Sequence, residues 1–326
     1  MPTRLRLLCW MTVITAIVAG NGAAAAQGFP ARPIRIIVGF VPGGAADLSA
    51  RMVAQALTER IGQPVLVENR SGAAGLIANE LVAKSPPDGY TLLAVNSSLS
   101  SIPALYPKSG FDAARDLAAV ALVCITQNAL VVHPSVPVKT VRDVISVAKA
   151  NPGKLNFSSS GTGSSTHLAG ELFKNMAGVD FTHIPYKGQA LAISAAVAGE
   201  IDLTFNSIGP LMPFVKAGRL RMVATTGSRR SALLPDVPTI AEAGVPGYAA
   251  GSWYGFAAPA KTPPDIVALL GNAIVGLLNV PEFLDQVRNG LGADPAGMTA
   301  QEMTRFMAAD AEKWTRIITR LRIKGD

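Results

Sequence analysis

After residue 30 the chain alternates short apolar runs with longer stretches whose apolar residues recur at helical spacing. Residues 34–38 predict a strand and Pro42-Gly43-Gly44 a turn. Leu48, Met52, Val53, Ala56 and Leu57 then mark one face of a helix that Asp47 can cap. Residues 65–67 predict a second strand, 71–75 a loop, 76–84 a helix, and 90–95 a third strand that ends in Asn96-Ser97-Ser98. The middle follows the same grammar, with strands at 130–132, 155–157, 181–184, 201–205 and 222–225. Between them lie a helix opened by Thr140 with Asp143 and helices over 167–177, 190–198 and 211–217. Residues 253–257 predict a last strand, and Pro263-Pro264 opens a helix that runs to about Leu278. Thr299 with Glu302 forms a capping box for the final helix. Its Met303, Phe306, Met307, Trp314, Ile317, Ile318 and Leu321 share one face, a core-packing stripe rather than a cofactor box. Strands alternating with helices specify an α/β fold. Lobe boundaries fall near Gln127 and in the Gly/Pro-rich segment 243–247. Residues 27–127 with 248–326 then form one lobe, and residues 128–247, inserted between them, the other.

The first residues predict targeting rather than fold. Arg4 and Arg6 precede an apolar stretch over 7–19, and Ala24-Ala25-Ala26 supplies an A-x-A site. Residues 1–26 are therefore expected to be a signal peptide cleaved before Gln27, with export to the periplasm. No later apolar run reaches the roughly 18–20 residues that cross a bilayer. Cleavage removes Cys9 and leaves Cys124, inside an apolar strand-like run, as a single buried thiol with no disulfide partner. The formal charge of +7 falls by two with Arg4 and Arg6, to 27 − 22 = +5. Its basic residues are scattered and form no stripe with aromatics, which argues against nucleic acid. A mild positive field suits the collection of anions.

Two loops carry candidate chemistry, each following a strand and opening a helix. The first is Phe40-Val41-Pro42-Gly43-Gly44-Ala45-Ala46-Asp47. The second runs over 158–166 and holds Ser160, Gly161, Thr162, Gly163, Ser164, Ser165 and Thr166. Glycines admit close backbone approach, and a helix start presents unpaired amides at a positive dipole end, so together the loops can receive a carboxylate without a buried arginine. Neither is a P-loop, which needs Gly-Lys-Ser/Thr, and Thr166 stands where G-x-G-x-x-G needs its third glycine. There is no G-x-S-x-G elbow and no H-E-x-x-H, and His133, His167 and His183 form no metal-binding pattern. No enzyme activity, cofactor or metal is expected. Two other readings stay open at this point: a secreted hydrolase using a serine of 158–165 with His167 or His183, and a receptor that docks on a signalling partner.

These stretches resemble the periplasmic solute-binding receptors of tripartite tricarboxylate transporters, the Bug or TctC-like family. The likeness rests on residues 31–38 with Pro42-Gly43-Gly44-Ala45-Ala46-Asp47, then 62–70, Pro87-Asp88-Gly89-Tyr90-Thr91-Leu92, 161–173, His183-Ile184-Pro185-Tyr186-Lys187-Gly188 and 234–244. The resemblance implies a two-lobed periplasmic-binding-protein fold of the type II class with a ligand cleft between the lobes. It implies a monomer that captures a small carboxylate and passes it to a two-component membrane permease. It further implies ligand contacts from 40–47 and 160–167, from a polar loop at Ser97 and Ser98, and from Tyr186, Lys187 and Gly188. The chain departs from the family pattern at three positions. Asn206 stands where many relatives carry Asp, and a neutral amide at the far end of the ligand favours a non-amino acid: a di- or tricarboxylate or an aromatic acid. Leu191 and Gly39 replace frequent prolines.

Overall fold

The computed structural model describes residues 28–325, so the predicted signal segment and its cleavage point lie outside the described residues. The elements follow in the order β1 (Ile34–Val38), α1 (Ala45–Ile61), β2 (Val65–Asn69), α2 (Leu76–Ala83), β3 (Thr91–Asn96), β4 (Leu117–Val132), α3 (Val141–Ala150), β5 (Asn156–Ser159) and α4 (Ser165–Ala177). Then come β6 (Thr182–Pro185), α5 (Gln189–Ala198), β7 (Leu203–Ser207), α6 (Ile208–Lys216), β8 (Arg221–Thr225), β9 (Gly251–Pro259), α7 (Pro264–Val275), β10 (Ala293–Thr299) and α8 (Ala300–Leu321). The strand path is β2-β1-β3-β9-β4-β7-β5-β6, with β10 and β8 also paired to β4.

β4 joins the two lobes. Its residues 117–127 pair with β9, and its residues 128–132 pair with β7. The chain therefore crosses from one sheet to the other inside a single strand, at Gln127–Asn128. It returns beside Thr226, whose carbonyl accepts the Ala250 N–H just before β9 begins. Among the described residues no single helix is long and apolar enough to cross a membrane.

Apolar spacing explains the packing. β1 lies between two parallel neighbours and is covered on both faces, which is why it reads as a nearly continuous apolar run. Ile34, Ile36 and Val38 pack with Val53 and Leu57 of α1, while Ile37 faces the other way onto Val82 and Leu93. The second lobe is centred on Phe157, Phe173, Phe181, Phe205 and Tyr248. α8 serves both lobes: Met303 packs with Leu122 and Trp253 of the first, and Trp314 and Ile318 enter the aromatic core of the second. Both capping boxes, Thr140 with Asp143 and Thr299 with Glu302, form. Cys124 is fully buried, and burial pushes its thiol up to about 12, so it is unreactive at neutral pH.

Three elements differ from the sequence expectation. The strand expected at 130–132 is the end of a 16-residue β4. β10 was not expected, because Pro295 and Gly297 look like loop residues; a bulge between Pro295 and Met298 accommodates them. α1 starts at Ala45 with Gly44 at its N-cap, so Asp47 lies inside the first turn and does not cap the helix.

Candidate functional site

The loop after β1 is built around Asp47. Its Oδ2 accepts the Gly43 N–H and Arg51 Nε, both at 3.0 Å, and its Oδ1 accepts Asn69 Nδ2 at 2.8 Å. Asn69 Nδ2 also donates to the Phe40 carbonyl at 2.9 Å, so one buried carboxylate fixes both ends of the loop. Burial alone would raise the pKa of Asp47, but the bonds from Arg51, Gly43 and Asn69 outweigh it and hold the carboxyl below its ordinary range. With the loop fixed, α1 presents its first amides to the cleft. Ala45 N–H donates at 2.9 Å to Gln189 Oε1 of the opposite lobe, and the Ala46 and Asp47 amides carry no hydrogen bond among the described residues.

The loop before α4 is braced by its own side chains. Ser164 is the N-cap and accepts the His167 N–H. Thr166 Oγ1 accepts the Ser160 N–H at 2.8 Å and lies 3.0 Å from Ser160 Oγ. Gly163 N–H donates to His167 Nδ1 at 3.0 Å, and the Gly163 carbonyl accepts Ser101 Oγ from the first lobe at 2.7 Å. The amides of Ser165 and Thr166, in the first turn of α4, are left without a partner among the described residues.

Two helix N-termini, one from each lobe, thus open on one inner cavity of about 20 Å³. Phe40, Gly44, Ala45 and Ala46 line it from one side, and Ser160, Ser165 and Gln189 from the other. Asn96, Ser98, Ser252 and Tyr254 complete the wall. Among the described residues no Lys, Arg, Asp or Glu lines this space. A helix of this kind carries about half a positive charge at its N-terminus, so the cavity is an electropositive pocket made of dipoles and hydroxyls. A second, outer cavity of about 260 Å³ adjoins it through Phe40 and Ser160, and Ala74, Gly161, Thr162, Tyr186 and Lys187 line it. Lys187 is the one cation among its described lining residues. The lobes touch around these spaces. A Cβ on Gly44 would lie 3.3 Å from Gln189 Cβ, and one on Gly188, held at φ +148°, would lie 2.6 Å from Val41 Cγ2. Among the described residues no group of His, Cys, Asp or Glu could hold a metal ion.

The expected site residues divide into two sets. Phe40, Gly44, Ala45, Ser98, Ser160, Gly161, Thr162, Ser165, Tyr186 and Lys187 line one or both cavities. Gly43, Asp47, Ser97, Gly163, Ser164, Thr166 and His167 line neither, and instead shape the walls: Ser97 Oγ, for example, is bonded at 2.8 Å to the lining residue Ser252. Asn206 is also absent from the cleft. It is fully buried in β7, its Nδ2 donates to Thr204 Oγ1 at 2.6 Å, and its Oδ1 has no partner. The expected contact of Asn206 with the far end of a ligand has no counterpart here, because it shares the strand face of Thr204, packed under α5.

His167 and His183 do come together, with rings stacked 4.0 Å apart against Phe157. Burial, then the nearby His183 and Lys174, push His167 down to about 3, so it stays neutral and serves as the acceptor for Gly163. Sequence reasoning missed Gln189, Ser252 and Tyr254. Gln189 directly follows the Tyr186-Lys187-Gly188 loop. Ser252 and Tyr254 alternate on one face of β9, and those two polar positions in an apolar run were the available signal. Burial pushes the Tyr254 hydroxyl up to about 12.

Comparison with known proteins gives a consistent result. The sequence model of the Tripartite tricarboxylate transporter family receptor (TctC) matches residues 49–323. Protein BugT of Bordetella pertussis is 35% identical over 313 residues, spanning 94% of this chain and 96% of BugT. An R. palustris protein solved with adipate superposes with a TM-score of 0.88 at 37% identity, over 91% of this chain and 99% of that one. MatC from Rhodopseudomonas palustris, with bound malate, gives 0.84 at 30% identity, over 89% of this chain and all of the other.

Proposed function

Because the chain belongs to the tripartite tricarboxylate transporter receptor family, we propose that it captures a small carboxylate in the periplasm by closing two lobes on it. The carrying observation is the meeting of two helix N-termini, from opposite lobes, in one cavity without a cationic side chain. Free amides at Ala46 and Ser165, which line the inner cavity, are available to carboxylate oxygens, and Ser98, Ser160 and Ser252 add hydroxyls. Such charge-assisted bonds are roughly twice as strong as neutral ones. The absence of an acidic side chain from the lining argues for a non-amino acid, since an ammonium group would have no counter-ion there. Two adjoining cavities suit a ligand with two charged ends, and the adipate and malate of the relatives support a di- or tricarboxylate. An aromatic acid fits the outer space beside Phe40 and Tyr186.

In this reading residues 27–127 with 248–326 form one jaw and residues 128–247 the other. The mature protein begins at Gln27, acts as a monomer, and passes its ligand unchanged to a two-component permease. Catalysis is disfavoured by burial. Ser159 Oγ lies 2.6 Å from His183 Nε2, the spacing of a nucleophile and its base, but Ser159 has no exposure and its Oγ also accepts the Gly161 N–H. The other Ser–His contact, Ser135 with His133, is a local surface turn.

A thermal-shift screen across carboxylates, amino acids and sugars tests the reading, because a ligand at 100 times its Kd adds about 2.7 kcal/mol of stability. At least one non-amino di- or tricarboxylate or aromatic acid should raise Tm by several degrees. A response confined to amino acids or sugars would overturn the proposal.

A further inference from the structure

The amide of Gln189 caps the first amide of α1 from across the cleft. From the second lobe its Oε1 accepts the Ala45 N–H, the first amide of α1, at 2.9 Å, and its Nε2 donates to Ser207 Oγ at 3.0 Å. The orientation follows from chemistry: a backbone N–H only donates, so the amide oxygen must face it. That oxygen brings a partial negative charge to the positive end of a 17-residue helix, as a carboxylate would bring a full one. Gln189 is 8% exposed and forms part of the inner cavity wall, so it cannot swing out to water while the lobes are shut. It leaves the seat when the lobes part, because Gln189 belongs to the second lobe and Ala45 to the first. Ser207 Oγ is a hydroxyl that both donates and accepts, already in contact with Tyr254 OH at 3.1 Å. Displaced from Ala45, the Gln189 amide can therefore keep Ser207 as a partner through either of its polar atoms.

We propose that Gln189 determines which solutes the cleft accepts, because its amide oxygen fills the α1 anion seat in the empty protein and yields only to a ligand carrying a full negative charge. The proposal rests on the carboxylate reading above and adds the residue that enforces it. A neutral solute must displace an internal acceptor as good as its own and gains nothing. A carboxylate forms the stronger charge-assisted bond and prevails. The same contact joins the lobes, so a ligand that takes the Ala45 amide must displace it before the lobes shut.

The test uses the full mature chain as wild type, Gln189→Ala and Gln189→Glu. Amide hydrogen exchange at Ala45 is followed without ligand, and adipate binding is measured by calorimetry. Ala45 should be protected in the wild type, exchange at least tenfold faster in Q189A, and be protected again in Q189E. Adipate should bind about fivefold tighter to Q189A, the worth of one ordinary hydrogen bond. It should bind more than tenfold weaker to Q189E, whose tethered carboxylate keeps the seat. Unchanged Ala45 exchange in Q189A overturns the proposal. So does weaker adipate binding to Q189A, which would make Gln189 a simple ligand contact. If the wild type binds no acid at all, the carboxylate reading fails, and the exchange data still decide whether Gln189 holds the seat.

Discussion

Replacing Gly44 by serine should strengthen the fold and weaken binding at the same time. Gly44 is the N-cap of α1, with φ −85° and ψ 167°, an extended conformation that serine adopts freely. No side chain caps this helix now. A serine hydroxyl would accept from one of the free first-turn amides, Ala46 or Asp47, and stabilise the fold by a few tenths of a kcal/mol over glycine. The same substitution harms the cleft twice. Its Cβ would lie 3.3 Å from Gln189 Cβ when the lobes are closed, and such overpacking costs about 1 kcal/mol at the low end of its range. Its hydroxyl would also occupy an amide that the acid needs, for about 1 kcal/mol more. The sum of about 2 kcal/mol predicts roughly 30-fold weaker binding. Gly44→Ala carries only the steric part and should weaken binding about fivefold while lowering stability, since alanine is a poor N-cap. Chemical denaturation of the empty protein and calorimetry with the best-binding acid give the two numbers for each variant. If G44S kept wild-type affinity, the free amides of α1 would take no part in holding the acid.

Other expectations follow from the supporting residues. Asp47→Asn keeps the shape but replaces one of two acceptor oxygens by a donor; about 2–3 kcal/mol of stability should be lost in urea unfolding, with weaker acid binding as loop 40–44 loosens. The lowered pKa of Asp47 adds stability that is present above the ordinary Asp value and is lost as pH falls through the folded-state value. His167 has the same pH direction for the opposite reason. Its folded pKa of about 3 means that the unfolded chain alone takes the proton below about pH 6.5, so stability drops by about 1.4 kcal/mol per unit from there toward pH 3. His167→Asn retains an acceptor for the Gly163 N–H and should flatten this slope in denaturation series at pH 4.5 to 6.5; an unchanged slope would assign the effect to other groups.

The α/β alternation and most element positions were legible because strand and helix periods are written in apolar spacing. β1 and the two capping boxes are examples. What escaped depended on partners far away in sequence. β10 forms against its own composition because β4 offers it an edge, and the length of β4 shows only when β9 and β7 pair with its two halves. In the site, the glycine-hydroxyl loops were visible, but the division of labour within them was not. Whether Gly163 N–H meets a ligand or His167 depends on a ring turned inward, and whether Asp47 faces the cleft depends on Asn69 from the next strand. Gln189 was invisible as a cleft residue because its partner, the Ala45 amide, is 144 residues away.

The central claim is that a carboxylate is held between the amide ends of α1 and α4. It is tested most directly by an amide-resolved NMR titration of the mature protein with a dicarboxylate and with its neutral diamide, adipate and adipamide for instance. The account predicts that the amides of Ala46 and Ser165 shift together with the acid and stay still with the diamide. Equal shifts with both compounds would contradict it, as would acid-induced shifts confined to a distant surface such as the cavity beside Gln127 and Arg288.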